Sequence, residues 1–519
     1  MRKIALTLCL SAFLAHSASA APIAETTVAQ GTLRGVASGS VAKFLGVPFA
    51  APPVGDLRWK EAQPVAKWSG ARAADKFSPA CFQKVTKTIP SVREDCLYLN
   101  VWTPAQSKNE KLPVLFWVLG GGYQNGSAGN PLYDGEALAK KGIIVVNFNF
   151  RVGAIGFLAH PALTAEAPYH SSGNYGMLDV VTALKWVKAN IAAFGGDPNA
   201  ITVAGQSSGG SQIKILDVSP LSRGMYARAI VQSGPRIGSA GPNLKDGEEQ
   251  GVRFAKKLGA NSLTDLRAIP PDRLLAATGD ETEFRFAPIF EPYVQPAATI
   301  DLIRHGEFNK TPLMTGLTAE EQSGNNPQAD KMTAQECADY VDKQVGDWGP
   351  RLRQAYMSPP SPDCFNDIRA MGRERNLATT YTYSTIRQSK SSQPIYTYIF
   401  QHPQPGPDSN RMRSFHGGEL VYEFGSLDKV PPRPFTQQDR DISETLISYV
   451  ANFVKTGNPN GPGLAQWAKF DPKKPVTMEL GDRFAPYAVY NGKRGKLMQE
   501  YLDTAGPQTL AEGHLPFSR

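Results

Sequence analysis

Runs of apolar residues alternate with stretches of helical periodicity through the first half of the chain. Residues 114–118, 143–150, 201–203 and 229–231 are continuous apolar runs, which are typical of strands buried on both faces of a parallel sheet. Between the second and third runs, apolar residues recur at helical spacing, and Gly195-Gly196 ends that helix. The helical apolar positions are Leu178, Val181, Leu184, Val187 and Ile191. This alternation predicts an α/β fold whose central sheet is mostly parallel, doubly wound and flanked by helices.

The pattern loosens between residues 240 and 400, where prolines and helical stretches predict helices and long loops inserted on one side of the sheet, over the site. Further on, Thr436 with Asp439 three residues later predicts the start of a helix that Gly457 ends. The sequence has no internal repeat and no linker rich in Pro, Gly or Ser. We therefore expect residues 21–519 to form one domain.

The N-terminus has the pattern of a cleavable signal peptide. Arg2 and Lys3 precede an apolar run over residues 4–15, and Ala18-Ser19-Ala20 offers a small-x-small cleavage site. The run is too short to span a membrane, and no later apolar stretch reaches that length. We expect cleavage of residues 1–20 after Ala20, giving a secreted or periplasmic protein without a membrane span.

Charge and composition exclude some kinds of partner. Loss of Arg2 and Lys3 with the signal peptide lowers the formal net charge from +8 to +6, and no block of Lys and Arg concentrates what remains. Nucleic-acid binding is therefore not expected. The 41% hydrophobic and 20% charged residues are ordinary for a soluble globular protein, and nothing calls for a cofactor.

Four cysteines remain after the signal peptide, and an even number in an exported protein predicts disulfides. The sequence allows three pairings, of which the local one closes two short loops. Each such loop contributes about 3 kcal/mol if the bond is unstrained. No CxxC or HExxH spacing accompanies them, so we expect no metal site. The cysteines are Cys81, Cys96, Cys337 and Cys364.

Residues 205–209 have the G-x-S-x-G form of a nucleophile elbow. They follow the apolar segment 201–204, as they should where a strand turns sharply into a helix and exposes the Oγ of Ser207. A side chain at Gly205 or Gly209 is expected to collide with this turn. The pattern alone also fits a simple Gly/Ser turn, so the assignment depends on partners for Ser207.

A serine nucleophile needs a base and an orienting acid, which follow it along the chain in elbow-type hydrolases. Of the histidines after Ser207, His416 is best placed, because adjacent glycines let other groups approach its ring. His305 is expected on the surface, His402 in a loop at a strand end, and His514 in a polar tail. The carboxylate candidates are Glu320 and Glu321, after the short apolar run 313–314.

Backbone donors for an oxyanion are expected in the glycine run that follows residues 114–118. Gly120-Gly121-Gly122 can turn N–H groups toward one point without side-chain interference. The amide of Ser208, directly after the nucleophile, would add a further donor.

At this point the chain resembles the type B carboxylesterase family, the α/β-hydrolases that include carboxylesterases and cholinesterases. The resemblance spans nearly the whole mature chain and is strongest before residue 240. Its blocks are residues 44–50, 52–59, 94–102, 194–198, 232–234 and 416–425.

The resemblance implies an α/β-hydrolase fold in which Ser207 is the nucleophile, His416 the general base and acid, and Glu321 the orienting acid. It also implies oxyanion donors at Gly121, Gly122 and Ser208, and a disulfide Cys81–Cys96. The pair Cys337–Cys364 has no family counterpart that we can place. Four residues depart from the family pattern, and Gln322 leaves the choice between Glu321 and Glu320 open. The departures are Leu119 before the glycines, Gln206 before the nucleophile, Ser208 after it and Gln322 after the acid.

The sequence therefore predicts an exported serine carboxylic-ester hydrolase that acts on small neutral esters. Gln206, where cholinesterases have Glu, and the absence of Trp between Cys81 and Cys96 argue against choline esters. One alternative is a non-catalytic recognition protein, as in adhesion proteins of this family that lack the triad. Another is hydrolysis of an amide, lactone or thioester, which the same residues could perform. Acyl size and oligomeric state are left open.

Overall fold

The computed structural model describes residues 21–234, 241–279, 283–321, 331–359, 363–490 and 492–505. The predicted signal peptide (1–20), Gln322 and His514 lie outside these residues.

In the described chain nine strands precede the first α-helix, and strands and helices are interspersed after it. The strands are β1 (Glu25–Val28), β2 (Gly31–Arg34), β3 (Val36–Ser38), β4 (Val41–Pro48), β5 (Ala71–Ala73), β6 (Ala80–Cys81), β7 (Val92–Arg93), β8 (Tyr98–Thr103), β9 (Leu112–Val118), β10 (Ile144–Phe148), β11 (Gly196–Gln206), β12 (Arg228–Gln232), β13 (Leu313–Thr318), β14 (Ile395–Gln401), β15 (Val476–Gly481) and β16 (Ala485–Ala488). The helices are α1 (Glu136–Ala139), α2 (Gly153–Phe157), α3 (Pro161–Glu166), α4 (Tyr175–Asn190), α5 (Ser208–Val218), α6 (Leu244–Leu258), α7 (Leu263–Ala268), α8 (Pro271–Ala277), α9 (Thr299–His305), α10 (Ala334–Val345), α11 (Gly349–Tyr356), α12 (Cys364–Gln388), α13 (Ser409–Met412), α14 (Leu420–Glu423), α15 (Gln437–Thr456) and α16 (Gly492–Ala505).

Within the described residues, eleven strands form one sheet in the order β16-β15-β14-β13-β12-β11-β9-β10-β8-β4-β3. From β10 across to β15 all neighbours are parallel. The strands β8, β4 and β3 continue from β10 in antiparallel pairing, and β16 closes the other edge antiparallel to β15. This sheet confirms the predicted α/β class, and the four apolar runs of the sequence lie in β9, β10, β11 and β12.

The central strand β11 is covered by helices. α4, α5 and α15 each pack against it, and β11 is fully buried from Ile201 to Gln206. The predicted apolar positions of α4 are buried, and Gly195 follows the short 3-10 helix Ile191–Phe194 with a left-handed backbone at φ +83°. Thr436 caps the start of α15 through a reciprocal capping box with Asp439, as predicted, and Gly457 caps its end.

Two strands of the sheet, β13 and β14, lie within residues 313–401. We expected mainly helices and loops there, with strand ends only at the run 313–314 and before His402. Both are buried almost throughout, and they continue the parallel part of the sheet between β12 and β15. β14 reads Ile-Tyr-Thr-Tyr-Ile-Phe-Gln, a composition of β-branched and aromatic residues that favours a strand. The surrounding helices, α6 to α12, account for the helical pattern of that range.

Both local disulfides are present. Cys81 and Cys96 are bonded with Cα atoms 4.9 Å apart, and Cys337 and Cys364 are bonded with Cα atoms 6.2 Å apart. The second bond joins α10 to the first residue of α12. In the part of the chain that the structure describes, none of the helices combines the length and hydropathy that a bilayer span requires.

Candidate active site

The turn between β11 and α5 holds Ser207 in a strained conformation. β11 ends at Gln206 and α5 begins at Ser208, so Ser207 is the single residue between them, with φ +60° and ψ −126°. Residues with a side chain rarely adopt this backbone. The Ser207 amide donates to the Gln232 carbonyl at 2.9 Å, and its own carbonyl accepts from the Ser211 amide at 3.0 Å. The chain therefore has the elbow geometry that the sequence pattern predicts.

The two elbow glycines are required by close packing rather than by a left-handed backbone. A Cβ on Gly209 would lie 2.2 Å from the Val118 carbonyl oxygen, and one on Gly205 would lie 2.6 Å from the carbonyl carbon of Gly209. Neither contact is possible for a real side chain. Small residues here let β9 and α5 approach the serine from both sides.

The loop after β13 brings an acid to His416. A parallel bridge between Glu320 and Phe415 places the two loops side by side, and the Glu320 amide donates to the Ser414 carbonyl at 3.1 Å. Oε2 of Glu321 then contacts Nδ1 of His416.

The carboxylate of Glu321 is held by two further donors. Its Oε1 accepts from the Ser233 hydroxyl at 2.5 Å and from the Thr318 amide at 2.8 Å. Burial alone would raise the pKa of Glu321, but the charge and hydrogen bond of His416 and these two donors hold that pKa below its usual range. Glu321 therefore stays ionised and favours a proton on Nδ1 of His416.

Glu320 is turned away from the histidine. Its Oε1 accepts from Arg373 Nη1 at 3.0 Å, and its Oε2 accepts from the Ser414 amide at 3.3 Å. Of the two adjacent carboxylates that the sequence left open, the structure thus brings Glu321 to His416.

The glycine run after β9 lies beside Ser207. A Cβ on Gly120 would lie 3.3 Å from the Ser207 Cβ, so backbone and serine are in direct contact here. Gly121 and Gly122 have φ of +123° and +63°, which glycine adopts readily and other residues do not. Ser208 stands in the first turn of α5, where the backbone N–H has no partner within the helix. Gly120 and Ser208 thus adjoin the elbow, and Gly121 and Gly122 directly follow Gly120 in the chain.

The remaining histidines of the second half have other surroundings. His402 follows β14, as predicted, and is buried with Nδ1 2.7 Å from Asp482 and Nε2 3.0 Å from Asp439. His305 is the exposed last residue of α9. Among the described histidines after Ser207, only His416 lies at the elbow.

Comparison with known proteins places the chain in a family. Residues 21–496 match the Carboxylesterase family. The chain belongs to this family.

Individual carboxylesterase relatives resemble it along most of their length. The chain is 33% identical over 476 residues to fumonisin B1 esterase of Sphingopyxis macrogoltabida, covering 88% of this chain and 87% of that protein. It is 31% identical over 500 residues to cocaine esterase of Homo sapiens, covering 87% of each. A solved carboxylesterase of Geobacillus stearothermophilus is similar with a TM-score of 0.80 and 28% identity, over 92% of this chain and 100% of that one. The protein is a carboxylic-ester hydrolase of the α/β-hydrolase fold.

Sequence reasoning missed two glutamates of this carboxylesterase that lie buried just beyond His416. Glu423 accepts from Gln232 Nε2 at 2.6 Å, and neither carboxyl oxygen of Glu419 has a hydrogen-bond partner among the described residues. Burial and the charges of Glu423 and Glu321 raise the pKa of Glu419 well above its usual range, and burial raises the pKa of Glu423 to about 7. Both lie in α14 and the residue before it, a short segment whose local pattern shows no sign of a buried carboxyl pair.

Ser233 was missed as well. It stands directly after β12 with φ +51°, and its hydroxyl reaches Glu321 across 88 residues of sequence. The block Gln232-Ser233-Gly234 was visible in the sequence, but only the strand order β11-β12-β13 shows that it lies beside the acid.

Proposed function

We propose that this carboxylesterase is an exported serine hydrolase that uses Ser207 as nucleophile, His416 as base and Glu321 as orienting acid. The observation that carries the proposal is the contact of Glu321 with Nδ1 of His416, whose Nε2 points toward the elbow residue Gln206 at 3.2 Å. Nucleophile, acid and base lie in the segments that follow β11, β13 and β14, beyond the carboxyl ends of these parallel strands, which is where ligands bind in α/β sheets.

The reaction follows from the groups at the elbow. The Ser207 Oγ attacks the ester carbonyl carbon while its proton passes to Nε2 of His416. Glu321 stabilises the imidazolium that results, and the amides of Gly121, Gly122 and Ser208 donate to the oxyanion. Collapse of the tetrahedral intermediate breaks the bond to the alcohol oxygen, which takes the proton from His416.

Deacylation repeats these steps with water. His416 takes a proton from a water molecule, the resulting hydroxyl attacks the acyl-enzyme carbonyl, and the proton returns to Ser207 Oγ as the carboxylic acid leaves. No oxidant, reductant or metal enters the balance.

The proposed substrates are neutral small-molecule esters. The two relatives are named for different substrates, fumonisin B1 and cocaine, so the choice rests on this chain's own residues. Gln206 places a neutral amide next to Ser207, and the loop from Cys81 to Cys96 contains no Trp. A quaternary ammonium group would find neither a carboxylate at residue 206 nor an indole from that loop.

Export is the second part of the proposal. The basic N-terminus, the apolar run 4–15 and Ala18-Ser19-Ala20 support a cleaved signal peptide, and two disulfides fit an oxidising compartment. Intact mass of the protein recovered from the periplasm or medium should correspond to a chain that begins at Ala21. A cytoplasmic protein with an uncut N-terminus would contradict export.

Hydrolysis itself is tested with an ester panel varied separately in acyl and alcohol length. The panel is extended by matched amide, lactone and thioester substrates, because these share the same intermediates. Ser207→Ala should abolish turnover of p-nitrophenyl acetate while leaving the melting temperature close to that of the wild type. A Ser207→Ala variant that keeps its activity would remove Ser207 from the mechanism, and wild-type inactivity toward all esters would remove the proposed reaction.

A further inference from the structure

The side chain of Gln206 lies against the reactive side of His416. Its Nε2 is 3.2 Å from Nε2 of the imidazole, and the residue is only 5% exposed. The amide sits between two glycines, because a Cβ on Gly417 would lie 3.5 Å from Gln206 Nε2 and one on Gly120 would lie 3.2 Å from Gln206 Oε1. The position of the amide is therefore set by the histidine loop on one side and the glycine loop on the other.

This contact depends on the protonation state of the ring. The Glu321 carboxylate at Nδ1 favours a proton on that nitrogen, so the neutral imidazole carries its lone pair on Nε2. An amide N–H of Gln206 can then donate to Nε2. Once Nε2 also carries a proton, two donors face each other and this hydrogen bond is lost. The amide of Gln206 thus favours the neutral ring over the imidazolium.

Several carboxyl groups lie near His416 among the described residues, and any that ionise act in the opposite direction. Glu321 contacts the ring from the loop after β13. Glu419 lies just before α14 and Glu423 lies in it, and this helix follows the histidine in the chain. Glu320 adjoins Phe415 and is neutralised by Arg373. A carboxylate in place of the Gln206 amide would add another negative charge, this time directly at Nε2.

We propose that Gln206 is a positioning residue that holds His416 as a neutral imidazole with its lone pair on Nε2, so that the base keeps its working form at lower pH than a carboxylate at residue 206 would permit. The inference rests on the proposed role of His416 as the base. Gln206, the unusual residue before the nucleophile, thus acts on the base, and this effect is separate from its effect on charged substrates.

The test compares the wild type with Gln206→Glu and Gln206→Met on the uncharged substrate p-nitrophenyl acetate. The acidic limb of kcat/KM against pH should move upward by about 1–3 pH units in Gln206→Glu, because a carboxylate at this distance stabilises the imidazolium. Gln206→Met removes the hydrogen bond without adding charge, so its midpoint should rise by less than that of Gln206→Glu. A Gln206→Glu midpoint equal to or below that of the wild type overturns the proposal.

A titration that needs no turnover separates this inference from the proposed reaction. The ring signals of ¹⁵N-labelled histidine report the protonation midpoint of each of the six histidines that follow residue 20, and loss of a signal in His416→Gln identifies the signal of His416. We expect the protonation midpoint of His416 to rise in the same order, lowest in the wild type, higher in Gln206→Met and highest in Gln206→Glu. If Ser207→Ala still hydrolyses esters, the proposed reaction fails, while these midpoints still decide the role of Gln206. Gln206→Met adds no charge to the core, so it can still be measured if Gln206→Glu does not fold. In that case a histidine protonation midpoint in Gln206→Met equal to that of the wild type overturns the inference.

Discussion

Two adjacent glutamates follow β13. Exchanging each for glutamine separates the effect of the carboxylate that contacts His416 from that of the carboxylate that binds neighbouring groups of the loop. Glu321 contacts Nδ1 of His416, whereas Glu320 binds Arg373 and the Ser414 amide. Glutamine keeps the size of either side chain and removes its charge. The pair is thus a matched experiment in which each variant is the control for the other.

The expected loss at Glu321 can be worked from the contact. A carboxylate and an imidazolium about 4 Å apart at an effective dielectric of about 20 attract by about 4 kcal/mol, which is about three powers of ten in rate. A glutamine amide can also donate to Nδ1 and favour the unproductive tautomer, as in the known loss of about 10⁴ when a triad Asp becomes Asn. Glu321→Gln should therefore lower kcat by about 10³–10⁴ and change KM little, since His416 is charged only during the reaction.

Glu320→Gln should cost far less. Glu320 contacts Arg373 and the Ser414 amide rather than His416, so kcat should fall by less than about tenfold in the folded variant, roughly 1.4 kcal/mol in activation free energy. Steady-state kinetics on p-nitrophenyl acetate, with melting curves for both variants, measure these effects. A larger loss in Glu320→Gln than in Glu321→Gln would refute the assignment, and equal large losses would show that the loop, rather than the carboxylate–imidazole contact, governs activity.

Three further predictions concern the same region. Ser208→Ala should keep kcat within a few-fold, because the Ser208 Oγ has no hydrogen-bond partner among the described residues. Ser208→Pro removes the backbone N–H and should lower kcat by about 10²–10³ in a folded protein. Equal kcat values for the two variants would contradict the role of the Ser208 amide as an oxyanion donor. The pKa of Glu423 rises from 4.5 to about 7 on folding, so the folded state binds the extra proton, and stability falls as pH rises across that window. Glu423→Gln should therefore have a higher melting temperature than the wild type at pH 8 and should lose this pH dependence. A lower melting temperature at pH 8 would contradict the claim that the ionised Glu423 carboxylate destabilises the folded protein. Acetylcholine should show a lower kcat/KM than its uncharged isostere 3,3-dimethylbutyl acetate, and an equal or higher value would contradict the neutral-ester preference that we draw from Gln206.

Local patterns predicted the elements that depend on local physics. Continuous apolar runs marked the buried parallel strands, and the capping pair of Thr436 and Asp439 marked the start of α15, because each signal lies within a few residues. The ends of β13 and β14 were indicated by the run 313–314 and by the position of His402, but the prolines and helices around these strands obscured their extent. Their identity as strands comes from pairing with β12 and β15, which are distant in sequence.

The site divides in the same way. The elbow and the glycine run are contiguous motifs, so their residues could be proposed from the sequence. Ser233 and Glu423 could not, because their roles depend on which strand lies next to which. The residues alone left Glu320 and Glu321 open, since both follow the same strand end. The family resemblance favoured Glu321, and the contact of Glu321 with His416 agrees with that choice.

The neutral residue before the nucleophile fits the charges that the sheet brings near it. Gln206 at the end of β11 lies in register with Gln232 on β12, and Gln232 Nε2 binds the buried carboxyl of Glu423. Neighbouring strands are about 4.8 Å apart, so residue 206 stands one strand away from a residue that already holds a buried carboxyl. Glu419 adds a second buried carboxyl, and Coulomb repulsion from Glu423 and Glu321 already disfavours its ionised form. A glutamate at residue 206 would extend this repulsion to another group and would stabilise the imidazolium of His416. An amide there avoids both effects while still donating to the ring, so the two consequences of Gln206, on substrate charge and on the base, have one electrostatic cause.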